Sequence, residues 1–90
     1  MPYIKAADRS KYDDAIKALV AVVRAAPPGE LNYVITKIAT AWLDSIGPVG
    51  YTELACLVGT LETLKLELVR RCLDPYEDRK RKENGDVFHV

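Results

Sequence analysis

Ninety residues, 49% of them hydrophobic, describe one small globular domain over 1–90 and exclude a disordered chain. Thirteen basic side chains balance thirteen acidic ones, so no general attraction to nucleic acid or to an anionic membrane is expected. No apolar run approaches the ~18 residues of a membrane span, and the opening MPYIKAADRSKYDD has no signal-peptide core, which reads as a cytoplasmic protein.

The first predicted helix covers Arg9 to Ala25. Ser10 and Asp13 have the spacing of a capping box, with aspartate in the usual glutamate position. Tyr12, Ala15, Ile16, Leu19, Val22 and Val23 recur with a helical period. Pro27, Pro28 and Gly29 end the helix.

The second helix is expected from Gly29 or Glu30 to Ile46. Leu31, Val34, Ile35, Ile38, Trp42 and Ile46 form its apolar stripe. Tyr33, Lys37, Thr40 and Asp44 form the wet side, and the exposed Tyr33 marks a possible contact. Gly47 supplies a left-handed cap, and Pro48 cannot continue the helix.

The third helix is the longest. Thr52 is read as its N-cap, and the pattern runs from Glu53 to Leu73. Leu54, Leu57, Val58, Leu61, Leu64, Leu66, Leu68, Val69, Cys72 and Leu73 cover an arc of about 200°, against about 100° for an ordinary surface helix. Two shorter helices cannot cover all of it. Either both neighbours and the tail wrap this helix, or it also meets a second subunit. Gly59 within it costs about 1 kcal/mol relative to alanine and could permit a close crossing.

Cys56 and Cys72 would stand about 24 Å apart on that helix. A disulfide needs Cα atoms within about 7 Å. Both are therefore read as buried thiols in a reducing compartment. Asp74 is expected to cap a short fourth segment that starts at Pro75. Its acidic start and its basic end suit the helix dipole, and Asn84-Gly85 stops it. Tyr3-Ile4 and Val87-Phe88 are short extended candidates that could pair with each other or across a dimer.

MPYIK, PPGELNYVITKIA, LETLKLELVRR and DPYEDRKRKENGDVF, in this order, resemble a family of small uncharacterised bacterial and phage proteins, a domain of unknown function. The resemblance spans nearly the whole chain, less clearly between Ala39 and Gly59. It implies one compact domain that includes both ends. It carries over no catalytic residue.

The run Arg79-Lys80-Arg81-Lys82, with Arg70 and Arg71, invites a nucleic-acid reading. Between Arg70 and Asp86, however, six basic residues meet five acidic ones. Phosphate binding draws on uncompensated cations, so a solvated helical face is favoured. Glu83 and Asp86 have the ExxD spacing of all-α nucleotide pyrophosphohydrolases, which hold Mg²⁺ with a second carboxylate cluster. Glu62 and Glu67 lie five apart and do not share a helical face, so that second cluster is missing.

Glu62 and Lys65 lie inside the apolar arc. They could form an intrahelical pair, an interface pair, or a small pocket with Asn32 and Tyr33. His89, next to the C-terminus, lacks the orientation that catalysis needs and the neighbours that a metal needs. Gly29-Glu30 could present backbone N–H groups to an anion, but Glu30 itself satisfies the dipole. No catalytic set, metal site or cofactor motif is recognised.

The resulting expectation is an all-α three-helix bundle with a long third helix and a short C-terminal helical segment after Pro75. Tyr76, Val87, Phe88 and Val90 pack back, on their own bundle or on a partner. Leu57, Leu61, Leu64, Leu66, Leu68, Leu73 and Phe88 are the interface candidates, and a homodimer is favoured over a monomer. The leading function is a non-enzymatic interaction or assembly module. A nucleic-acid accessory protein and a small-ligand or nucleotide enzyme are the alternatives.

Overall fold

A computed structural model of the chain describes residues 2–89. The protein is all-α, with no strand among the described residues. Within one copy, Tyr3-Ile4 and Val87-Phe88 form no strand. A 3₁₀ turn at Ala6–Asp8 precedes α1 (Ser10–Val23), α2 (Pro28–Ser45), α3 (Tyr51–Leu68) and α4 (Asp74–Asn84). The chain divides into two units, Met1–Leu57 and Val58–Val90, with the boundary inside α3.

In the first unit the 3₁₀ turn feeds directly into α1. Arg9 is already helical, and its amide donates to the Ala6 carbonyl at 3.2 Å. Ser10 is thus inside the helix and makes no side-chain cap. The expected capping box is absent because the preceding turn, not a side chain, starts the helix. The Arg9 guanidinium instead secures the leading segment, with Nε donating to the Ile4 carbonyl at 2.9 Å.

Helix α1 stops before Pro27 through an unusual residue. Ala25 takes φ 59°, the left-handed conformation that costs an L-residue about 1–2 kcal/mol. Glycine has no such penalty but loses more entropy on folding, about 0.5–1 kcal/mol. Ala25→Gly is therefore expected to raise stability by about 0.5–1 kcal/mol, read as a higher urea midpoint. Ala25→Val should lower it.

Proline starts α2. Pro27 is extended at φ −61°, ψ 152°, and Pro28 occupies the first turn, where a missing N–H costs nothing. Along the polar face Thr36 Oγ1 donates to Asn32 Oδ1 at 3.1 Å, and Thr40 Oγ1 donates to the Thr36 carbonyl at 2.9 Å. Gly47, at φ 94°, ends the helix as expected.

The cap of α3 is not Thr52. Gly50 precedes the helix, and its amide donates to Glu53 Oε2 at 2.9 Å. This is the backward half of a capping box, a glutamate at the third helical position reaching the N-cap amide. Thr52 lies two residues past the N-cap and cannot serve.

Asp74 is not a cap either. The chain stays helical from α3 into α4 through one wide π-helical segment, Val69–Leu73. There the Asp74 amide donates to the Val69 carbonyl, five residues back. Pro75 explains the width. Its ring would clash with the carbonyl four residues earlier and it has no N–H to donate. A π turn moves that carbonyl aside. Gly85, at φ 91°, ends α4 with its amide on the Arg81 carbonyl at 2.9 Å.

No described side chain is buried. Val23, Ala26, Val34, Ala39, Leu43, Glu53 and Leu57 are half-buried in the first unit, and Glu67 and Val69 in the second. Most of the expected α2 stripe, including Ile35, Ile38 and Trp42, is exposed. The cysteines are likewise exposed and form no disulfide. Their expected burial is not met within one copy. Gly59 meets no close crossing, since a Cβ there would find nothing within 4 Å. Gly59→Ala is expected to add about 1 kcal/mol of helix stability. Calorimetry checks this, and a lower melting temperature would reveal a close neighbour at that position.

Candidate interaction surface

The leucines of α3 are ordered more strictly than a broad arc. Leu54, Leu57, Leu61, Leu64 and Leu68 follow at spacings of three, four, three and four residues. Their average of about 3.5 is the repeat of a coiled-coil seam, with the leucines at its a and d positions. Leu57 is half-buried and the other four are exposed.

On an unbroken α-helix the next seam position would be Arg71, three residues after Leu68. The π segment inserts one extra residue, so Cys72 takes that place and Tyr76 follows four later. Leu68, Val69, Cys72, Leu73 and Tyr76, with Lys65, line one shallow apolar hollow of about 440 Å³. The wide turn that accommodates Pro75 therefore also carries the apolar face across it.

The interface candidates separate on this seam. Leu57, Leu61, Leu64 and Leu68 belong to it, and Leu73 borders its hollow. Leu66 lies about 200° around the helix from Leu64, on the far side. Phe88 is 75% exposed and Val87 83% exposed, so neither packs back on this copy. The Phe88 amide donates to Asp86 Oδ1 at 2.9 Å, holding the tail in a local turn. Val90 lies outside the described residues.

The ionic candidates pair along the helices. Lys65 Nζ lies 3.1 Å from Glu62 Oε1, with both side chains more than half exposed. Arg70 reaches Glu67 Oε1 through Nε at 2.8 Å and through Nη2 at 2.6 Å. Lys80 meets Glu83 at 3.1 Å, and Arg81 meets Asp78 at 3.7 Å. Arg79 and Lys80 stand 5.8 and 5.7 Å from the centre of the Tyr76 ring. Arg71, Arg79 and Lys82 make no ion pair among the described residues.

Three of the six basic candidates thus already face a carboxylate. A groove of about 490 Å³ between α4 and the tail also mixes signs, with Glu77, Asp78 and Asp86 beside Lys80 and Arg81.

Glu83 and Asp86 do not share a helix, because Gly85 breaks it between them. One is tied to Lys80 and the other to the Phe88 amide. No group of three or more His, Cys, Asp or Glu placed to share a cation occurs among the described residues. No described helix is long and apolar enough to cross a membrane.

Fold and surface together define an all-α chain with a largely exposed leucine repeat on α3. The chain belongs to the family described as Domain of unknown function (DUF6899), whose family model matches residues 1–87. No curated protein and no solved structure matches it significantly. The seam was present in the sequence as the alternating leucine spacing. An arc drawn around a wheel merges it with Leu66 and Val58 and hides its period.

Proposed function

We propose that the chain is a non-enzymatic helical assembly module that forms a homodimer through α3. The supporting observation is the leucine repeat on α3, where Leu54, Leu61, Leu64 and Leu68 stand 38–55% exposed.

Helices in proteins draw most of their stability from packing of an apolar face rather than from intrinsic propensity. Faces on α1 and α2 are also exposed, including Tyr12, Ile16, Ile38 and Trp42. The α3 seam is favoured because a 3–4 leucine repeat complements a copy of itself. The same patch then serves both subunits.

Size-exclusion chromatography with light scattering tests this. The expected mass is twice the 10.0 kDa of the chain, with a melting temperature that rises with protein concentration. A chain-mass particle with cooperative, concentration-independent melting would remove the proposal.

A further inference from the structure

We infer that two copies of α3 pair antiparallel, with Leu61 opposite Leu64 of the partner subunit, Leu57 opposite its Leu68, and Leu54 opposite its Cys72. This rests on the homodimer reading above and adds orientation and register to it.

The first argument is charge. Residues 51–68 carry Glu53, Glu62 and Glu67 against Lys65, a net −2. Residues 69–84 carry six basic side chains against Asp74, Glu77, Asp78 and Glu83, a net +2. Parallel pairing would set each basic half beside its copy. It would also bring Arg79, the next seam position after Tyr76, against Arg79 of the partner subunit. Antiparallel pairing in this register overlaps only about residues 51–75 and moves the two Arg79–Lys82 runs to opposite ends, beyond the seam. Like charges brought together across an interface cost free energy, which disfavours the parallel alternative.

The second argument is register. In an antiparallel seam an a position faces a d position. Starting from Leu61 against Leu64, the facing pairs run outward as Leu57 with Leu68 and Leu54 with Cys72. Every position is apolar or a thiol. The last pair fits only because the π segment shifts the seam by one residue. Without that shift Leu54 would meet Arg71.

Oxidative cross-linking of the full chain separates the orientations, because Leu54 and Cys72 stand about 27 Å apart along one helix. In a Cys56→Ser background, Cys72 is the remaining thiol. Antiparallel pairing keeps the two Cys72 side chains at opposite ends, so mild oxidation with diamide should leave single chains on a non-reducing gel. Adding Leu54→Cys should convert most of the protein to a covalent dimer. Peptide mapping should find position 54 joined to Cys72 of the partner subunit.

A Cys72–Cys72 bridge in the Cys56→Ser protein would overturn the inference. So would an oxidised Leu54→Cys protein that stays single-chain while light scattering still shows a dimer. A monomer by light scattering before oxidation would instead remove the homodimer itself. If Leu54→Cys unfolds by circular dichroism, Leu57→Cys with Leu68→Cys in a Cys56→Ser, Cys72→Ser background asks the same question. Bridges between positions 57 and 68 support antiparallel pairing, and 57–57 or 68–68 bridges overturn it.

Discussion

Leu61→Ala is expected to turn the dimer into single chains at micromolar concentration. Truncating a well-packed leucine costs about 2–5 kcal/mol. A two-fold interface loses it twice, so the dimer loses roughly 4–10 kcal/mol, about three to seven powers of ten in Kd. Sedimentation equilibrium reads this directly. Leu66→Ala is the matched comparison, since it removes the same atoms from the same helix at a comparable exposure, 54% against 38% for Leu61. Lying off the seam, it should move stability by no more than about 0.5 kcal/mol. Equal losses from the two variants would mean that total apolar content, not the seam, holds the copies together.

That contrast shows what the sequence carries and what it conceals. Helix number, order and stops were legible because proline and glycine act locally. Pro28, Gly47 and Gly85 do in the structure what their backbone chemistry dictates. Starts were harder. Ser10 and Thr52 are good capping residues by type, yet the 3₁₀ turn and the Gly50–Glu53 pair occupy those roles. A cap depends on where the helix begins, and a preceding turn can move that by one or two residues. The buried reading of Cys56 and Cys72 failed for a different reason. Apolar neighbours along the sequence predict burial only where something covers them, and within one copy both thiols are exposed. Glu62 and Lys65 looked significant because they interrupt an apolar arc. In the structure they are an ordinary exposed pair 3.1 Å apart.

Pro75 gives the second large effect, because the wide turn answers two demands at once. It relieves the proline ring, and it advances the seam by one residue so that Cys72 and Tyr76 continue it. Deleting Arg71 removes the extra residue. The shortened helix keeps the leucine register in plain α geometry but drives the proline ring into a carbonyl, at a cost of about 3 kcal/mol. Adding Pro75→Ala to the deletion removes that clash and leaves an unbroken heptad seam. The deletion alone is therefore expected to lower the urea midpoint strongly, and the combined variant to restore it. The pair is non-additive, as for two changes acting on one backbone feature. If the combined variant remains as unstable as the deletion, the proline does not dictate the wide turn. The insertion in the apolar register would then have to be explained by the seam alone.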